Sequence, residues 1–134
     1  MEIFDPYKIT ILVSGLTGLM MLIQILIADV AAIKEQHTPG YPVNPDHNKF
    51  LFRAARAHAN TNESIAIFVL FALFGVLSAS NAFYLNIFSV IYIVSRIAHM
   101  CFYYGNVKLA RSISFPLSLI GLIGMFITGL ISCF

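Results

Sequence analysis

Long runs of uncharged residues constrain the fold of this chain more than any other feature. Residues 9–28 carry no formal charge over twenty positions, and residues 64–95 carry none over thirty-two. A hydrocarbon core about 30 Å thick needs roughly 20 apolar residues in an α-helix, so the first run can cross it once and the second is too long for one crossing. With 59% hydrophobic and 10% charged residues, 134 residues cannot bury this much apolar surface in water. The sequence therefore predicts an all-α integral membrane protein.

Breaks in the apolar runs divide the chain into four predicted membrane helices, which form one four-helix bundle over residues 1–134. Three prolines in residues 37–45 exclude a continuous helix there. The polar stretch 78–81 divides the second run, and Gly105 with Asn106 ends the third helix. The predicted helices cover roughly residues 9–33, 48–78, 82–105 and 112–133, with Pro116 in the first turn of the last one.

Basic residues predict the orientation of the helices in the membrane. They concentrate at the first and third connections, whereas the second connection has none and the N-terminal tail has Lys8 alone. The positive-inside rule places connections one and three in the cytoplasm and both termini on the opposite side. This multi-pass topology fits a bacterial inner membrane and an endoplasmic reticulum equally well. A net charge of +2 is too small to indicate a nucleic-acid partner.

The densest polar segment, residues 53–63, lies at the mouth of the second predicted helix and holds three of the fourteen charged residues. Helical geometry places four of its side chains within an arc of ~80° and directs His58 away from them. These four are Arg53, Arg56, Asn60 and Glu63. A second stripe, at 4-3-4 spacing on the third helix, consists of Tyr92, Arg96, His99 and Tyr103. We expect the two stripes to face each other.

The two stripes have the chemistry of an anion pocket. Charge at membrane depth is costly and usually faces a partner, a cavity or a ligand. Arg56 and Arg96 can bind carboxylates bidentately, Glu63 can accept hydrogen bonds from an ammonium group, and Asn60 can bind an amide. Glutathione, with two carboxylates, an amine and amide bonds, fits this set. An Arg–Glu pair that only holds helices together explains the same residues equally well. No spacing of metal-ligating residues indicates a metal site.

Two motifs resemble the MAPEG family, the membrane-associated proteins in eicosanoid and glutathione metabolism. Residues 56–63 (RAHANTNE) are similar to its helix-two signature, Arg-Ala-His/Gln-x-Asn-x-x-Glu. Residues 96–103 (RIAHMCFY) are similar to the companion motif, Arg-x-x-His/Tyr-x-x-x-Tyr. Arg111 and Ser112 resemble the Arg-Ser pair that opens helix four in the prostaglandin E synthase branch. Together with the four spans and the long first connection, the resemblance covers essentially the whole chain.

The resemblance implies a homotrimer that binds glutathione between neighbouring subunits near the cytoplasmic side. Arg111 would stabilise the glutathione thiolate, with Ser112 beside it, and a lipophilic electrophile would approach from the bilayer. His58 would reach in from the adjacent subunit. The residues predicted to contact glutathione are Arg56, His58, Asn60, Glu63, Arg96, His99 and Tyr103.

Three departures from the family pattern leave the activity open. Ala59 stands where some members have an arginine, Phe115 stands where the prostaglandin branch has a tyrosine, and the first span lacks a basic residue. These departures favour a general glutathione transferase, with peroxidase activity as a possible addition, over a specialised eicosanoid synthase. One alternative is a non-catalytic MAPEG-like protein that binds another anion or a lipid. A small multidrug exporter is less consistent, because the first span has no acidic residue before Asp29 and Glu63 lies among arginines.

Overall fold

The computed structural model describes residues 2–134 and the side chains from residue 3 onward, so residue 1 of the predicted domain lies outside the described residues. A 3₁₀ helix, Glu2–Tyr7, leads into α1, Lys8–Lys34. The other helices are α2, Phe50–Leu77, α3, Ala82–Tyr104, and α4, Lys108–Ile131. Residues 2–134 contain no strand. The all-helical fold with four helices long and apolar enough to span a membrane is therefore confirmed.

The largest departure from the predicted helix limits is at the start of α4. This helix begins at Lys108 rather than at residue 112, which puts Lys108 and Arg111 in its first turn instead of the connection. Pro116 consequently lies inside the helix, where it has no N–H to donate to the carbonyl group of Ser112. The short connection is possible because Asn106 adopts a left-handed backbone conformation (φ 58°), which reverses the chain directly after α3.

Small residues let α4 approach α3 closely. Ser118 is fully buried. A Cβ atom added at Gly121 would lie 2.9 Å from the carbonyl oxygen of Phe88 and from the backbone nitrogen of Tyr92. A Cβ atom at Gly124 would collide with the ring of Phe88. The α3–α4 pair is the most extensive helix contact in the bundle, and close packing of this kind is how membrane helices associate without a hydrophobic driving force.

The first connection folds back over one end of the bundle and is tied to α2. The Oε1 atom of Glu35 accepts a hydrogen bond from the backbone nitrogen of Leu51 (3.1 Å), so the end of α1 satisfies a free donor at the start of α2. Arg53 donates from Nη1 to the carbonyl oxygens of His47 (2.7 Å) and Asn48 (3.0 Å). These bonds hold residues 47 and 48 beside the first turn of α2, at the end of the bundle where α3 ends and α4 begins.

Candidate functional site

The predicted stripe on α3 lies inside the bundle. Tyr92, Arg96, His99 and Tyr103 are all buried, with Tyr92 and Arg96 completely so. Tyr92 stacks on Phe68 of α2 with ring centroids 4.5 Å apart and planes 6° from parallel. Its hydroxyl lies 2.9 Å from that of Ser64. The 4-3-4 spacing therefore directs these side chains toward α2 and α4 rather than toward lipid.

Arg96 is held by a hydroxyl group that three helices share. Its Nη2 atom donates to Oγ1 of Thr61 on α2 (3.1 Å), and Nε2 of Gln24 on α1 donates to the same oxygen (3.1 Å). The Thr61 hydroxyl donates in turn to the carbonyl oxygen of Ala57 (3.1 Å). One hydroxyl donor and two acceptor lone pairs are thus all used. Gln24, Thr61 and Arg96, each no more than 1% exposed, form a buried polar network that joins α1, α2 and α3.

The Arg96 guanidinium has more donors than its surroundings satisfy. Its Nε and Nη1 atoms are buried and have no hydrogen-bond partner among the described residues. Within that part of the chain, the ion pair between Lys8 and Asp5 is the one salt bridge, so no carboxylate lies within 4.0 Å of Arg96. A buried, uncompensated charge is expensive. The two free donor atoms are therefore suited to an anionic group from outside the subunit.

His99 and Arg111 connect the end of α3 to the first turns of α4. The Nδ1 atom of His99 lies 3.0 Å from the carbonyl oxygen of Arg111 and 3.1 Å from Oγ of Ser114. A carbonyl oxygen can only accept, so Nδ1 carries the proton, and in the neutral ring Nε2 is left as an acceptor. That Nε2 atom is buried with no partner in the described structure. The guanidinium of Arg111 lies over the Tyr103 ring, 4.7 Å from its centroid.

The sequence model of the MAPEG family matches residues 10–131. The chain belongs to the MAPEG family. No curated protein gives a significant match to it. Membership supports a membrane protein of the glutathione and eicosanoid metabolism family, and it agrees with the motifs on α2 and α3 that the sequence analysis identified.

In this MAPEG protein, the charged stripe on α2 does not face the stripe on α3, and that prediction is wrong for a single subunit. The α3 stripe contacts Thr61 and Ser64 instead, whereas Arg56 and Glu63 are exposed on the subunit surface. They lie roughly 140–160° from Thr61 around α2. The reason is that the line Ala57–Thr61–Ser64–Phe68 is small or apolar, so burying it costs far less than burying two charges.

The remaining predicted site residues, Asn60, His58 and Ser112, differ in how far they are buried. Asn60 is buried at the edge of the core, and His58 is half-buried with an unpartnered, buried Nδ1 atom in the described structure. Ser112 is exposed, and its hydroxyl donates to the carbonyl oxygen of Lys108 (3.0 Å) within α4. The structure therefore brings together Arg96, His99, Tyr103 and Arg111. It leaves the α2 charges and Ser112 on the outside.

The ring of Phe115 contacts both Arg96 and His99. Its ring centroid is 6.0 Å from the Arg96 guanidinium carbon and 5.9 Å from the centroid of the His99 ring. The residue that replaces a family tyrosine thus packs between the two groups with free polar atoms. It brings a ring face to Arg96 and no hydroxyl group.

Sequence reasoning missed four residues of the site: Gln24, His47, Thr61 and Ser114. The sequence did contain a pattern that indicates Gln24, because polar residues recur every seven positions in the first apolar span, at Thr10, Thr17 and Gln24. All three are buried. No such pattern indicates His47, since it lies in the irregular first connection. Its Nδ1 atom lies 3.2 Å from Nη1 of Arg111.

Proposed function

We propose that this MAPEG protein is a membrane-embedded glutathione transferase that joins the glutathione sulfur to lipophilic electrophiles. The observation that carries the proposal is the buried guanidinium of Arg96 with two unpartnered donors, beside the free Nε2 acceptor of His99. Arg111 adds a second guanidinium at the same end of the bundle. Family membership directs the choice of ligand toward glutathione rather than another anion.

The residues present fit glutathione group by group. Arg96 offers the Nε and Nη1 donors that a carboxylate can accept in a charge-assisted pair. His99 Nε2 can accept from an amide or ammonium N–H. Tyr103, in edge-to-face contact with His99 at 5.0 Å, lies under Arg111 and closes this side of the site.

We propose that the site is completed in a homotrimer. Arg56 and Glu63 are exposed on the subunit at membrane depth, where contact with lipid is costly, so a neighbouring copy or the ligand covers them. Asn60 and His58 lie on the same helix, α2, and supply further polar contacts at that boundary. The basic residues around the site favour an opening toward the cytoplasm.

Arg111 stabilises the reacting sulfur in this mechanism, whereas the exposed Ser112 hydroxyl is bonded to the carbonyl oxygen of Lys108 and lies outside the cluster. A cation near a thiol lowers the thiol pKa and so increases the thiolate fraction at neutral pH. Each unit of lowering corresponds to roughly 1.4 kcal/mol of stabilisation of the thiolate relative to the thiol. The thiolate sulfur attacks an electrophilic carbon of a substrate dissolved in the bilayer. A carbon–sulfur bond forms, and the leaving group departs with the electron pair of the bond that breaks.

The test is ultraviolet difference absorbance of the purified protein on addition of glutathione, which detects thiolate. We expect a saturable thiolate signal in the parent, loss of that signal in Arg111→Ala, and retention in Lys108→Ala. Lys108 is the matched control because it is an exposed cation one turn earlier on α4. Conjugation by Arg111→Ala at the parent's rate contradicts the mechanism.

A non-catalytic role in binding another anion or a lipid is the second candidate, and Phe115 is the observation that favours it. A phenyl ring between Arg96 and His99 supplies no hydroxyl donor near the sulfur. A folded trimer that binds an anionic lipid but gives no thiolate signal supports this candidate over the first.

A further inference from the structure

The first connection contacts the start of α4 through the side chain of His47. Its Nδ1 atom lies 3.2 Å from Nη1 of Arg111. The imidazole also packs against Phe52, with the two rings nearly perpendicular and their centroids 4.9 Å apart. Its carbonyl oxygen accepts from Arg53 (2.7 Å). A side chain from an irregular connection therefore meets the guanidinium assigned above to the reacting sulfur.

We propose that His47 is a positioning residue: as a neutral acceptor it holds the Arg111 guanidinium in the site, and on protonation it releases it. This inference rests on the proposed function, since Arg111 is the group that stabilises the thiolate there. It adds a pH-sensitive contact to that site through a residue outside both family motifs.

Hydrogen-bond chemistry determines which form of His47 makes the contact. Every nitrogen of a guanidinium donates, so Nδ1 of His47 must accept and its proton must be on Nε2. In the imidazolium both ring nitrogens carry protons, and two cations would then face each other at 3.2 Å. Protonation consequently replaces an attractive contact with a repulsive one.

The groups around His47 favour its neutral form. Partial burial, then the cations Arg111 and Lys108 of α4 and Arg53 of α2, lower the pKa of His47 below its ordinary value of 6.5, whereas Asp46 opposes them. A lowered histidine pKa means that the contact is complete at neutral pH and is lost as the pH falls through that lower value.

The contact with His47 explains how the long side chain of Arg111 keeps one orientation. Arg111 is half-buried, and its guanidinium is placed between the His47 ring and the Tyr103 ring. One N–H group is used on His47, and the other N–H groups of the guanidinium stay available for an anion. Because the side chain is already oriented when the thiolate forms, the cost of ordering it does not add to the barrier of the reaction.

Two variants distinguish the effect of the hydrogen-bond acceptor at residue 47 from the effect of its protonation. His47→Asn keeps an acceptor oxygen near the position of Nδ1 and does not titrate, whereas His47→Leu removes the acceptor. For conjugation, we expect the parent to lose about tenfold in kcat at acid pH beyond the loss due to glutathione thiol protonation, the size of a hydrogen bond to a charged group. His47→Asn should lack this additional step. His47→Leu should lack it too and should have a lower kcat than the parent at neutral pH, with KM for glutathione unchanged.

An acid step that persists in His47→Asn, or equal kcat in His47→Leu and the parent at neutral pH, overturns the inference. A ¹⁵N NMR titration of the imidazoles, with His47 assigned by comparison with His47→Asn, tests the contact without glutathione. We expect the pKa of His47 to rise in Arg111→Gln, and an unchanged value overturns the contact. A parent with no thiolate signal and no turnover refutes the proposed function, and the positioning role with it, even where the NMR shift is found.

Discussion

Replacing Thr61 with valine tests the buried network most directly, because the substitution removes one hydroxyl and preserves the shape of the side chain. The Thr61 oxygen is the common acceptor for Gln24 of α1 and Arg96 of α3. Valine leaves both donors without a partner among the described residues, in a region that is no more than 1% exposed. We expect Thr61→Val to destabilise the subunit without any change in packing volume.

The size of the effect follows from the two donors that lose their partner. Interhelical hydrogen bonds inside membranes average ~0.6 kcal/mol and reach ~1.7 kcal/mol, and a buried donor without a partner costs ~1–3 kcal/mol in proteins generally. One of the two donors here is charged, which places it toward the upper end of those ranges. We therefore expect the free energy of unfolding to fall by about 2 kcal/mol.

The assay is equilibrium unfolding in mixed detergent micelles, followed by circular dichroism. Thr17→Val is the matched control. Thr17 is also fully buried, and its hydroxyl donates to the carbonyl oxygen of Val13 within α1 (2.8 Å); among the described residues it bonds to no side chain of another helix. Thr61→Ser should restore most of the lost stability. Equal stabilities of Thr61→Val and Thr17→Val would refute the argument that Thr61 joins three helices.

Three further predictions concern packing, binding and assembly. Gly121→Ala should lower the free energy of unfolding by about 1–3 kcal/mol, because the added Cβ would meet the α3 backbone at 2.9 Å. The same assay should find Gly18→Ala neutral, since among the described residues no atom outside the backbone of α1 and the adjacent residues lies within 4 Å of a Cβ there. His99→Phe keeps an aromatic ring and removes Nε2, so calorimetry should show glutathione affinity weaker by roughly tenfold; unchanged affinity would exclude Nε2 as a ligand contact. Glu63→Gln should shift sedimentation toward smaller species or weaken glutathione binding, and an unaltered sedimentation coefficient with parental affinity would contradict its placement at a subunit boundary.

The four spans and their approximate ends could be predicted from the sequence, because the cost of placing charge or free backbone in a bilayer acts on each segment separately. The burial of the Tyr92–Tyr103 stripe could also be predicted, since helical periodicity is a local property. The start of α4 could not, because Asn106 takes the left-handed conformation and allows the helix to begin at Lys108.

What only the tertiary structure decided is which face of each helix meets which neighbour. The sequence predicts that Arg56 and Glu63 lie opposite the Arg96 stripe. In the structure, the small residues of α2 face α3 instead, and the Thr61 hydroxyl accepts a hydrogen bond from Arg96. Helical periodicity places residues on a face but does not choose between two faces, and that choice depends on the summed cost of burying each one. The same holds for His47, whose contact with Arg111 spans 64 positions and follows from how the first connection folds back over the bundle.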